Sequence, residues 1–79
     1  MKLKKNVALS DSGFLFNAAT GDSYSLNPIG LELLKLLQDG KSDDEIVAHI
    51  LSDYMIDKST AEKDLYDFRT MLNSHKLIE

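Results

Sequence analysis

The sequence predicts an α+β domain in which a three-stranded antiparallel sheet is followed by three helices, β-β-β-α-α-α, in a winged helix-turn-helix-like arrangement. Three observations carry the prediction. Between Lys4 and Leu26, polar and apolar residues alternate in three short runs separated by turn-forming residues, the pattern of a meander. From Pro28 onward, apolar residues recur at helical spacing. The change of period falls at Asn27-Pro28. Asn caps a helix with its side-chain oxygen, and Pro suits the first helical position, where a missing N–H costs nothing.

The first strand is expected within Lys4–Ser10, with Val7 and Leu9 on one side. Asp11-Ser12-Gly13 is turn chemistry, and Phe14-Leu15-Phe16 follows as an apolar strand with the two phenylalanines on one face. Thr20-Gly21-Asp22 marks the next turn, and Ser23–Leu26 alternates again with Tyr24 and Leu26 on one face.

The first helix carries the stripe Ile29, Leu33, Leu36 and Leu37, widened by Leu34, with Gly40 as its stop. Ser42 with Glu45 makes a capping box for the second, and Asp43-Asp44-Glu45 puts negative charge at the positive end of its dipole. Its buried face should be Ile46, Val47, Ile50, Leu51 and Tyr54. For the third helix, Asp57 and Ser59 (with Glu62) are competing caps, and Ala61, Leu65, Phe68 and Leu72 form the core stripe. Leu77 and Ile78 in the tail should close the bottom of the core.

At 79 residues with 43% hydrophobic content, the chain is read as one domain, residues 1–79, near the lower size limit for a self-sufficient core. The absence of cysteine excludes disulfides and thiolate zinc sites. No apolar run approaches the roughly 20 residues of a membrane span. Met1–Lys5 is basic but runs into polar sequence, so it is no signal peptide, and a cytoplasmic location with no membrane partner is expected. A net charge of −4 argues against general affinity for nucleic acid.

No catalytic or metal site is expected, and no cofactor. The histidines, His49 and His75, lie on different helices; His49 reads as a boundary residue, and His75 as a cation near a helix C-terminus. Asp64 and Asp67 share a helix face at a spacing that suits a divalent cation, but a solvated face explains them better. The chain contains no nucleophile elbow, Cys–His pair, phosphate-binding glycine loop or helical metal motif. A non-enzymatic role follows.

A winged-helix DNA-binding regulator is the topological rival. In the third helix, however, Lys58, Lys63 and Arg69 are balanced by Glu62, Asp64 and Asp67, and the second helix has acidic residues with no Lys or Arg. A DNA reader should show a basic footprint there, so nucleic acid is not expected as a partner.

The junction Ser25-Leu26-Asn27-Pro28-Ile29-Gly30-Leu31-Glu32-Leu33-Leu34-Lys35-Leu36-Leu37 closely resembles the signature of the PqqD-like family, named for pyrroloquinoline quinone biosynthesis protein D. The match continues through Gly40–Ile46, Tyr54 with Asp57, Lys63-Asp64-Leu65 with Phe68, Leu72 and Leu77-Ile78; His75-Lys76 departs where glycine often precedes the final leucine. The resemblance implies a recognition element for ribosomally made, post-translationally modified peptides. Such a domain is a non-catalytic peptide chaperone that binds a precursor's leader segment and delivers it to a modifying enzyme, whether a radical-SAM enzyme, an ATP-dependent enzyme or a leader protease. An accessory subunit that binds the enzyme but never the peptide is the further alternative.

Strand addition would bring the leader to the edge formed by Asp22, Ser23, Tyr24, Ser25 and Leu26, with its apolar side chains in a groove beside the third helix. The implied groove residues are Asp64, Asp67, Phe68 and Met71, with Leu65 beside them; Leu65 and Phe68 also fit the core stripe. The third strand carries no Pro or Lys to block pairing, although the N-terminal segment or a second copy is an alternative cover for its edge.

Overall fold

A computed structural model describes residues 1–79. The elements run β1 (Val7–Leu9), β2 (Phe14–Asn17), β3 (Ser23–Ser25), α1 (Pro28–Gln38), α2 (Asp43–Asp53) and α3 (Lys58–Ser74). This is the expected α+β order. The strands form one antiparallel sheet in the order β1-β2-β3, with Leu15 opposite both Leu9 and Tyr24.

Turn chemistry fixes the meander. Gly13 takes φ 93° in the first turn, where the Ser10 hydroxyl accepts the Phe14 N–H at 3.0 Å. The second turn is organised by a residue with no role in the sequence reading. Asn17, only 5% exposed, accepts hydrogen bonds from the Asn6 side chain at 2.6 Å and the Ala19 N–H at 3.0 Å, which satisfies a buried polar group.

Leu15 faces the core at 0% exposure, whereas Phe14 and Phe16 lie on the outer face at 51% and 46%. Period-2 alternation requires the two phenylalanines to share a face but does not say which one. The register decides: Leu15 falls between Leu9 and Tyr24 on the side that the helices cover.

The helices start and stop as their end residues dictate. Asn27 Oδ1 accepts the Gly30 N–H at 2.7 Å. At the other end of α1, Gly40 N–H donates to the Leu37 carbonyl and Lys41 N–H to that of Leu36, with Gly40 at φ 79°. That is a Schellman stop. Both bonds of the Ser42–Glu45 capping box are present, at 3.0 and 3.2 Å. At α3 the competition between caps resolves to Asp57, whose carboxylate accepts the Thr60 N–H at 2.8 Å and also the Ser59 hydroxyl.

The core joins Val7 and Leu15 of the sheet to Leu33, Leu34, Leu36 and Leu37 of α1, Ile46, Val47 and Ile50 of α2, and Ala61, Leu65, Phe68 and Leu72 of α3. Leu77 closes it at 0% exposure. The N-terminal segment pairs with this tail: Leu3 bridges Ile78, Lys4 N–H donates to the Leu77 carbonyl, and Glu79 N–H to that of Lys2. It is thereby held away from β3.

Candidate functional site

β3 forms one edge of the sheet, and no segment of the chain pairs beyond it. Its inner ladder is anchored by the Leu26 N–H on the Gly13 carbonyl at 2.7 Å and the Asn17 N–H on the Asp22 carbonyl at 2.8 Å, with Tyr24 opposite Leu15 between them. Because antiparallel strands alternate the direction of their main-chain groups, the N–H and C=O groups of Ser23 and Ser25 point away from β2. Both serines are exposed. Tyr24 turns inward and rests on His75, with ring centroids 4.7 Å apart and planes tilted by 44°.

Just past this edge the chain enters α1, which runs beside α3. Between them lies a groove of ≈300 Å³ lined by Asn27, Ile29, Gly30 and Leu33 from α1 and by Asp64, Asp67, Phe68 and Met71 from α3. Gly30 gives the groove its depth. A Cβ there would lie 3.0 Å from Asn27 Oδ1, crowding the α1 cap, and would rest in ordinary contact on Phe68 Cε1 at 3.5 Å. Phe68 is 9% exposed, so most of its ring serves the core.

The two groove carboxylates differ. Asp67 is engaged by Lys63 at 2.7 Å, and this contact pushes the Lys63 ammonium above its ordinary range. Asp64 is half-buried and forms no ion pair. It is the groove's uncommitted negative charge.

The fold therefore brings Asp64, Asp67, Phe68 and Met71 together in one groove. Of the edge residues Asp22, Ser23, Tyr24, Ser25 and Leu26 none lines it, and Leu26 reaches it most directly, against Gly30 and one residue before the wall residue Asn27. Leu65 is different: it is 4% exposed and turns toward a second groove, ≈630 Å³, between α2 and α3. The α1 wall was absent from the sequence-level site. Its signal was present in the i, i+4 pair Ile29 and Leu33 flanking a helical glycine, although core packing explains that spacing equally well. Asn27, expected to serve only as a cap, also forms part of the wall.

Nothing in the helices builds a basic footprint. Arg69 pairs with Asp43 across α2 and α3, and Lys63 with Asp67.

The sequence model of the family described as coenzyme PQQ synthesis protein D (PqqD) matches residues 13–78. The chain belongs to the PqqD family. No curated protein matches it significantly. Among solved structures, this PqqD-family chain resembles TbiB1 in complex with the TbiA(beta) leader peptide at 34% identity and TM-score 0.82, over 100% of this chain and 95% of that one. It also resembles a lasso peptide synthetase B1 complexed with the leader peptide, at 25% identity and TM-score 0.85, over 96% and 93% of the two chains.

The stretch from Ser25 to Leu37 that carries the family resemblance is here the exit from β3, the α1 cap and one wall of the groove. His75-Lys76, the departure from the family pattern, forms the same kind of turn that glycine would make: Lys76 adopts φ 54° and completes a Schellman stop with Asn73 and Leu72.

Proposed function

We propose that this PqqD-family domain, residues 1–79, binds the leader segment of a ribosomally made precursor peptide and presents it to a modifying enzyme, with no chemistry of its own. The observation that carries this reading is the juxtaposition of an open strand edge, Ser23–Ser25, with the groove between α1 and α3. The leader joins the sheet beside β3 and lowers its apolar side chains into that groove. The two solved relatives, each complexed with a leader peptide, support the reading. The partner enzyme is the one that modifies the precursor, and the encounter takes place in the cytoplasm, where the precursor is made.

Magnitudes indicate how affinity divides between edge and groove. Bonds to the outward N–H and C=O groups of both serines are worth roughly 0.5–1.5 kcal/mol each, about 2–6 kcal/mol together. Association itself costs at least about 4 kcal/mol. Strand pairing alone therefore gives little net affinity, and one or two apolar anchors at about 1.5–3 kcal/mol each must supply the rest. Met71, Ile29, Leu33 and the exposed rim of Phe68 receive them, with Met71 the adaptable contact. Asp64 selects a leader with a basic residue beside its apolar anchor.

Titration of the ¹⁵N-labelled domain with the leader peptide encoded beside it tests the proposal. The expected result is saturable amide shifts confined to Asp22–Leu26, the N-terminal turn of α1 and the Asp64–Met71 face of α3. Silence at the β3 amides across all neighbouring leader candidates overturns it.

A further inference from the structure

On α2, His49 and Asp53 stand at i and i+4 and therefore share one face. The packing of α1 against α2 brings Glu32 to the same spot. One donor atom from each of the three residues lies within 4.8 Å of the other two. His49 Nε2 is 3.4 Å from Glu32 Oε1 and 3.9 Å from Asp53 Oδ2. Around a tetrahedral zinc ion with bonds of about 2.0–2.2 Å, neighbouring donor atoms sit roughly 3.3–3.6 Å apart. Of the three donor–donor distances one already has that spacing, and the other two both involve the exposed Asp53 side chain, whose rotation adjusts them.

We propose that Glu32, His49 and Asp53 form a binding site for a divalent transition-metal ion of the zinc type, bridging α1 and α2. The site has one nitrogen and two carboxylate donors; the carboxylates accept any divalent cation, and the imidazole tips the set toward zinc, nickel or copper over magnesium and calcium. Three protein ligands leave a position for water. Glu32, with 22% of its side chain exposed, is the anchored ligand, and the two α2 residues at 51% and 45% are free to adjust.

Electrostatics favour an occupant. No Lys or Arg pairs with either carboxylate. Contact with Asp53 and then burial push the Glu32 carboxyl above its ordinary range, while the nearby Tyr54 phenol works against that rise. The two acids crowd one spot with no Lys or Arg beside them. A bound ion would clip α1 onto α2, and α1 also carries one wall of the peptide groove. The site is independent of the peptide-binding reading and stands or falls separately.

The test is a titration of the full 79-residue chain with zinc chloride, followed through the side-chain NMR signals of both histidines and the thermal midpoint. Saturation at one ion per chain is expected, with the His49 imidazole signals shifting and those of His75 unmoved. The midpoint should rise with zinc and stay unchanged with magnesium at the same concentration. Glu32→Gln and His49→Gln, both at the surface of a fold that circular dichroism can check, should each lose the saturable binding, and His75→Gln should keep it. Unmoved His49 signals, or identical titrations for the parent chain and His49→Gln, would overturn the site and leave a histidine that merely lies beside two carboxylates.

Discussion

Lys76 holds a φ of 54°, a conformation that glycine adopts without strain and that costs a side chain about 1–2 kcal/mol. It does so because the Schellman stop seats Leu77 against Leu72, both at 0% exposure. Lys76→Gly should therefore raise stability by about 1 kcal/mol, read from urea unfolding. Two carboxylates at helix starts act through pH. Hydrogen bonds from Thr60 and then Ser59 hold Asp57 below the ordinary carboxylate range, and those from Ser42 do the same for Glu45. A lowered folded pKa means that the fold prefers the ionised form. The contribution is complete above the unfolded carboxylate range and is lost as pH falls through the lower folded values. Unfolding midpoints measured from neutral to acidic pH should decline, and Asp57→Asn, which still caps, should flatten that decline. These residues were legible in advance because a cap and its partner lie within three positions of each other. The cap of α3 stayed open between Asp57 and Ser59, since the two overlap within one turn.

Among the elements, β3 and its partner ladder make the sharpest contrast. Ser25 directs its N–H outward, whereas Tyr24 directs its own toward Leu15. Proline removes a donor and is tolerated only on the free side of an edge strand. Ser25→Pro should leave the circular dichroism spectrum intact and weaken leader binding by about tenfold, while Tyr24→Pro should break the β2–β3 ladder and unfold the sheet. If Ser25→Pro binds the leader as well as the parent, recognition does not run through the strand edge. The existence of β3 was readable from Ser23–Leu26 alternation, but its openness was not. That depends on the N-terminal segment taking the Ile78 tail as its partner, a choice between residues at opposite ends of the chain.

For the whole molecule, a domain of this length has roughly 4–12 kcal/mol of stability, so a single core position is a large share of it. Leu15→Ala should cost about 2–5 kcal/mol. Phe16→Thr, on the outer face, should cost no more than about 1 kcal/mol, and guanidinium unfolding of the pair would measure the difference. The reverse ranking would mean that the sheet presents its other face to the helices. A margin this narrow also means that a bound leader or metal ion adds visibly to stability by mass action.

The sequence by itself determined the order of elements, the caps of α1 and α2, the Gly40 stop, most of the helical core stripes and the family to which the chain belongs. All of these rest on signals a few residues long: periodicity, a capping side chain, a turn glycine. Tertiary structure alone decided that Leu15 points inward and the phenylalanines outward, that Leu65 turns away from the groove between α1 and α3, and that Ile29, Gly30 and Leu33 wall that groove. It alone brought Glu32 to His49 and Asp53. Each of these depends on how separate elements pack, and a local pattern is satisfied equally by several packings; only burial of the shared core, summed over the whole chain, selects among them.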